Sequence, residues 1–232
     1  VQSGPDTGFG NWAYCSGYQY RDKAVLGYSQ THLSGTGCPD YNDVQVLPFA
    51  GEIGSLPARR AIDKATERAE PGYYAVVQPD DGVRVEIAAA KRASIYRLTW
   101  TRAGEAHVLL NLPFGQNCPK TYGAQSAVEG KTGVSGSHFR KGWIRDRLLA
   151  YAFVFGRPWK SIRELPRKAP DEAPRYVATF DVAAGEALLM KVGLSMTGAD
   201  GAKRNLAADI PGWDFDAVRA AARAKWNAIL AR

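Results

Sequence analysis

The stretch Tyr73-Tyr74-Ala75-Val76-Val77-Gln78-Pro79-Asp80-Asp81-Gly82-Val83-Arg84-Val85-Glu86-Ile87 decides the fold class. Tyr73 to Val77 reads as a strand, and Pro79-Asp80-Asp81-Gly82 ends it with a turn whose Asp-Gly pair favours a hairpin. Val83, Val85 and Ile87 then alternate with Arg84 and Glu86, the period-two pattern of a half-buried strand. Leu149, Tyr151, Phe153 and Phe155 alternate in the same way until Gly156-Arg157-Pro158 stops them. Apolar runs at 94–100, 107–112, 176–182 and 187–194 repeat the texture. Eight or more short strands at this spacing predict a mainly β chain built as an antiparallel β-sandwich. Residues 58–70 are charged throughout and read as a short helix or a long loop.

After Ser195 the pattern changes. Asp214 suits a helix N-cap. Phe215, Val218, Ala222, Trp226 and Ile229 follow on one face of an α-helix that runs to Arg232. Residues 1–197 are therefore assigned to the sandwich domain, and 198–232 to a linker segment ending in a helix. That helix carries apolar residues that something must cover.

Hydrophobic content of 45% and charged content of 23% are ordinary for a globular chain of 232 residues. No apolar run approaches the ~20 residues of a membrane-spanning helix. The net charge of +7 comes from 30 Lys and Arg against 23 Asp and Glu. The basic residues are scattered and no nucleic-acid motif accompanies them, so a nucleic-acid partner is not expected. There is no initiator Met and no signal peptide, and Val1 reads as a processed or trimmed end. Cys15, Cys38 and Cys118 lack zinc-site spacing. The odd count leaves at least one thiol outside any disulfide.

Two segments near the start carry chemistry. Trp12-Ala13-Tyr14-Cys15-Ser16-Gly17-Tyr18-Gln19-Tyr20 sets aromatic rings beside short polar side chains. Thr31-His32-Leu33-Ser34-Gly35-Thr36-Gly37-Cys38-Pro39-Asp40 adds hydroxyls, an imidazole and a thiol around two glycines that permit close backbone approach. A pyranose offers an apolar face to stack and a rim of hydroxyls to bind, which suits both. Trp12 is the first stacking candidate, with Tyr14 and Tyr20 behind it.

Taken in order, Ser16-Gly17-Tyr18-Gln19-Tyr20, Gly27-Tyr28-Ser29-Gln30-Thr31-His32-Leu33-Ser34-Gly35-Thr36-Gly37, Pro71-Gly72-Tyr73-Tyr74, Arg92, Arg97, Ile210-Pro211-Gly212-Trp213-Asp214-Phe215-Asp216, Val218-Arg219 and Trp226-Asn227 resemble the N-terminal domain of glycoside hydrolase family 92. The resemblance implies an exo-acting, inverting, calcium-dependent bacterial α-mannosidase, periplasmic or secreted, that degrades α-mannoside glycans. In that family the catalytic carboxylates and calcium ligands belong mainly to a helical (α/α)₆ barrel. The terminal helix would be the start of that missing barrel domain, here an expected partner. This chain would supply part of the mannose pocket through Trp12, Tyr14, Cys15, His32, Gly35, Thr36, Gly37 and Cys38.

No Asp or Glu stands in a family acid or base motif, so no catalytic residue is assigned. Asp40, Asn42 and Asp43 form an oxygen-rich cluster without the Gly and distal Glu of an EF-hand, and no metal site is assigned there. His107 and His138 stand apart from each other, and no serine elbow or dinucleotide loop is present. From another class, a non-catalytic carbohydrate-binding or interaction β-sandwich module remains the alternative. Trp12 and the 31–40 segment are expected side by side at one edge of the sandwich.

Overall fold

The computed structural model describes residues 1–33, 40–53, 59–115, 121–142 and 145–231. In chain order the strands are β1 (Gly4–Asp6), β2 (Ala24–Val25), β3 (Gly27–Ser29), β4 (Gln45–Ala50), β5 (Arg60–Ala61), β6 (Asp63–Glu70), β7 (Tyr73–Gln78), β8 (Val83–Ala89), β9 (Ala93–Trp100), β10 (Gly104–Asn111), β11 (Thr121–Glu129), β12 (Gly133–Arg140), β13 (Arg147–Phe155), β14 (Ser161–Leu165), β15 (Arg175–Val182) and β16 (Ala187–Ser195). A 3₁₀ turn covers Trp12–Tyr14, and two helices close the chain, α1 (Ala199–Asp209) and α2 (Phe215–Leu230).

Two antiparallel sheets face each other. One has the order β1-β3-β4-β10-β15-β14, the other β11-β12-β13-β16-β9-β8-β7-β6, and β2 and β5 make a small separate pair. The alternation in the sequence sets which side chains point inward. Val83, Val85 and Ile87 join Tyr151, Phe153 and Phe155 between the sheets, against Val108, Leu110 and Phe180. Each fully buried side chain of this size contributes about 1.5–3 kcal/mol. The hairpin turn at 79–82 forms as the Asp-Gly pair predicts. Gly82 holds φ +60, and its amide donates to the Pro79 carbonyl at 3.2 Å.

Over β7, β8 and β9 the outer face of the eight-stranded sheet is covered rather than solvated. Tyr73, Ala75, Ala88 and Ile95 pack against Leu206, Ile210 and Phe215 of the helical segment. Glu86, which the alternation placed outward, is consequently buried at 5% exposure. It accepts from Tyr73 Oη at 2.8 Å and from Arg97 Nε at 2.7 Å, and Arg97 also reaches Asp216 of α2 at 2.9 Å. Burial alone would raise the Glu86 pKa; the Arg97 and Tyr73 hydrogen bonds outweigh it, and the pKa is lowered.

Residues 58–70 correct the sequence reading. In place of a short helix or long loop they form β5 and β6, as far as they are described. The sequence Asp63-Lys64-Ala65-Thr66-Glu67-Arg68-Ala69-Glu70 has no apolar alternation because β6 is a sheet edge. Among the described strands it pairs only with β7, and its register shifts between Asp63 and Arg68. Charge on an edge blocks pairing with another chain.

Asp214 caps α2, with its Oδ1 accepting from the Ala217 amide at 2.9 Å. Phe215 and Ala222 are buried, but the far end of the same face emerges into solvent, with Trp226 45%, Ile229 52% and Leu230 66% exposed.

Candidate functional site

At one end of the sandwich, β1 and β3 bring a carboxylate to a point where four donors meet. Asp6 is fully buried and accepts from Ser29 Oγ at 2.5 Å, Asn42 Nδ2 at 2.6 Å, Gln45 Nε2 at 2.7 Å and His32 Nε2 at 2.9 Å. The other nitrogen of His32, Nδ1, lies 2.6 Å from the Gln2 carbonyl. Gly17 packs directly on this group. A β-carbon there would stand 2.2 Å from Asn42 Nδ2 and 2.8 Å from His32 Cδ2, and Gly17 holds φ +81. The Thr7 amide donates to the Gly17 carbonyl at 2.7 Å, and the Gln19 amide to Thr7 Oγ1 at 2.9 Å. The segment 7–19, with Trp12 on it, is thereby fixed at its base.

A second buried group adjoins the first. Asp43 is paired with Arg140 at 2.8 Å and with Arg147 at 2.6 Å, all three at most 5% exposed. Thr31 Oγ1 donates to Asp43 Oδ2 at 3.0 Å and accepts from the Asp43 amide at 2.9 Å. Burial would raise the Asp43 carboxyl, but the two guanidinium charges outweigh it and hold its pKa below the usual range. Arg147 also lies over the Tyr41 ring at 4.3 Å and reaches Asp40 at 3.5 Å. Tyr41, Asn42 and Val44 all have φ between +57 and +68. For a β-branched residue such as Val44 this is strained backbone, of the sort that persists where its surroundings over-determine it.

The residues singled out from sequence fall as follows. Trp12 stands 64% exposed on its 3₁₀ turn, whose N-cap Asn11 accepts from the Ala13 amide. Tyr14 packs its ring against Gly8 and donates its hydroxyl to Asp22 at 2.9 Å. Cys15 is buried beneath the turn. His32 is held as described above. Gly35, Thr36, Gly37 and Cys38 lie outside the described residues, as does Cys118. Tyr20 is exposed, with the Lys64 ammonium 4.3 Å from its ring centroid. His107 is buried on β10, while His138 is buried beside the Asp43 group, 3.5 Å from Arg140 Nε; desolvation pushes His138 down to about 3.

Asp6, Ser29, Gln45, Arg140 and Arg147 were not singled out in the sequence, though they hold the site together. Asp43 was noted only for its oxygens, and those are taken by two guanidinium groups. Among the described residues no cluster of three or more His, Cys, Asp or Glu side chains could hold a metal ion. The described Asp40 and Asp43 oxygens face guanidinium groups and do not fit calcium. Trp12 lines neither the 750 Å³ groove along α2 nor a 480 Å³ hollow bordered by Thr31, Tyr41 and Arg147.

A family model, the glycosyl hydrolase family 92 N-terminal domain, matches residues 1–195. The chain belongs to glycosyl hydrolase family 92. Among solved structures, this family 92 domain is similar to the GH92 α-mannosidase BT3965 from Bacteroides thetaiotaomicron, with 26% identity and a TM-score of 0.87 over 97% of the chain. The same enzyme in complex with mannoimidazole matches at 25% identity and a TM-score of 0.87, also over 97% of this chain. The inverting GH92 mannosidase BT2199 from Bacteroides thetaiotaomicron VPI-5482 shares the fold at 21% identity, TM-score 0.80, over 97% of the chain. The family 92 domain spans about a third of each, 33%, 32% and 31% of their lengths respectively. A search of curated proteins finds no match.

Proposed function

We propose that this chain is the N-terminal part of an exo-acting, inverting α-mannosidase and that it supplies one wall of the mannose pocket. The observation that carries the reading is Trp12. A large aromatic ring stands in solvent on a segment whose base is fixed by a fully buried carboxylate with four donors. Exposed aromatic surface held rigidly is suited to stacking on a sugar face, since little conformational freedom is lost on binding.

Inverting hydrolysis uses two carboxyl groups about 6.5–9.5 Å apart, one donating a proton to the leaving oxygen and one activating water. The buried carboxylates described here are committed to other work. Asp6 receives four donors, Asp40 and Asp43 face guanidinium groups, Asp81 binds Arg60, and Glu86 binds Arg97. A catalytic acid needs a raised pKa, and those of Asp43 and Glu86 are lowered. This supports a division of labour in which the catalytic pair and the calcium come from the helical domain. The exposed Trp226, Ile229 and Leu230 of α2 then have that domain as their cover. By family resemblance the natural setting is the periplasm or the cell exterior, and the substrates are α-mannoside glycans.

The test is Trp12→Ala in the longer enzyme. Loss of stacking should lower kcat/KM for an α-mannoside about tenfold, ~1.4 kcal/mol of transition-state binding. The same change at His107, buried on β10 of the six-stranded sheet, should leave kcat/KM unchanged once the folded fraction is allowed for. Equal losses for both variants would remove Trp12 from the pocket.

A further inference from the structure

His32 is a titratable group held on both of its ring nitrogens. Its side chain is 10% exposed and is clamped between two acceptors. Nδ1 faces the Gln2 carbonyl at 2.6 Å, and Nε2 faces Asp6 Oδ1 at 2.9 Å. A backbone carbonyl and a carboxylate accept hydrogen bonds and donate none. A neutral imidazole carries one N–H, so it satisfies one of them and turns a lone pair on the other. Only the imidazolium satisfies both.

Two glycines pack against the ring. Gly4 lies beneath it, where a β-carbon would be 3.8 Å from Cε1, and Gly17 lies against Cδ2. Neither contributes charge. From the 40–44 segment, Asn42 donates to the same Asp6 oxygen, and the Asp43 carboxylate adds negative potential that Arg140 and Arg147 largely offset. Movement of the ring therefore displaces Gly17, and Gly17 is tied through Thr7 to both ends of the segment that carries Trp12.

We propose that protonated His32 is a pH-sensitive latch that fastens the Trp12-bearing segment 7–19 to β1 and to Asn42. With the proton in place, the segment is held. On its loss, two acceptors confront each other at hydrogen-bond distance, the ring shifts, and the segment loosens. Burial by itself would lower the His32 pKa, but the hydrogen bond and charge of Asp6, with the Gln2 carbonyl, outweigh it and the pKa is raised. A raised folded-state pKa gives stabilisation that is fully present below the unfolded value of about 6.5 and is lost as pH rises through the folded value. The pocket wall is thus fastened below the raised folded-state pKa of His32 and loosened above it. That consequence for sugar binding rests on the reading of Trp12 as a mannose contact; the latch itself does not.

The experiment uses this chain with ¹³Cε1-labelled histidine and fluorotryptophan, followed by NMR from pH 5 to 10. The His32 signal is identified with His32→Gln and the Trp12 fluorine with Trp12→Phe. The latch predicts a His32 midpoint above 6.5, a Trp12 fluorine shift with the same midpoint, and loss of that shift in His32→Gln. A Trp12 signal that stays constant across the His32 titration would overturn it. So would a shift that persists in His32→Gln, or a His32 midpoint at or below 6.5. Asp6→Asn removes the carboxylate charge and should pull both midpoints down together; midpoints that separate count against the latch. No mannoside enters these readouts, so their failure leaves the enzymatic reading untouched, and an inactive enzyme leaves the latch untouched.

Discussion

Replacing Asp43 with Ala should destabilise this chain by about 3–5 kcal/mol. The carboxylate is fully buried and carries two guanidinium partners that are themselves buried, Arg140 at 2.8 Å and Arg147 at 2.6 Å. Removing it leaves two cations in a low-dielectric setting with their main counter-charge gone. Among the described residues, Arg147 keeps the longer contact to Asp40 and the Tyr41 face, and Arg140 keeps His138 and the Pro113 and Phe114 carbonyls. The Thr31 hydroxyl loses its carboxylate acceptor and keeps the amide of residue 43 as a donor. The comparison is Lys160→Ala, which removes a pair of ion contacts to Glu105 and Asp181 at the exposed surface. Exposed pairs contribute about 0–1 kcal/mol, so that variant should unfold close to the wild type. Urea midpoints decide the matter. Domain stabilities run to about 5–15 kcal/mol, so the Asp43 variant should sit near the edge of folding. Similar midpoints for the two variants would show that the buried ionic group does not organise this end of the sandwich.

Gly17→Ala should cost about 2–5 kcal/mol, while Gly10→Ala should cost about 1–2 kcal/mol. Both glycines hold left-handed backbone, φ +81 at Gly17 and φ +80 at Gly10. The conformational strain of a β-carbon is therefore shared. What differs is space: nothing lies within 4 Å of a β-carbon at Gly10, whereas one at Gly17 meets Asn42, His32 and Asp6. The extra loss at Gly17 measures the packing of the Trp12 segment on the Asp6 group. Thermal unfolding of the two variants checks it, and equal losses would mean that the contact is soft.

Much of the β architecture was legible because strands facing the inter-sheet core alternate strictly. Val83, Val85 and Ile87, and Leu149 through Phe155, could be placed from pattern alone. The misread segment was the one whose structure is imposed by a neighbour. Residues 63–70 contain no apolar stripe, since an edge strand is held by its ladder to β7 rather than by burial. β11 and β12 were passed over for a related reason. Their Gly and Ser residues allow close approach: a β-carbon at Gly136 would lie 2.6 Å from Tyr151 Oη. Small residues chosen for fit leave no hydrophobic signal.

Composition marks the residues proposed for the candidate site and does not mark the buried groups that hold its described part. Aromatic and hydroxyl residues clustered at 12–20 and 31–40 announce themselves by composition. The anchors Asp6, Arg140 and Arg147 do not, because Asp43 and Arg147 are 104 residues apart and nothing local marks either as a partner. The tertiary fold alone brings them together. A run of positive φ at Tyr41, Asn42 and Val44 is likewise invisible in the sequence, Val being the last residue expected to adopt it.

The most direct measurement is hydrolysis of an aryl α-mannoside by this chain alone and by the same chain continued through the helical domain, each with calcium and with a chelator. The account predicts no turnover from the chain alone in either condition and calcium-dependent turnover from the longer protein. Clear calcium-dependent hydrolysis by the isolated chain would contradict it, as would a longer protein that binds mannosides but never cleaves them.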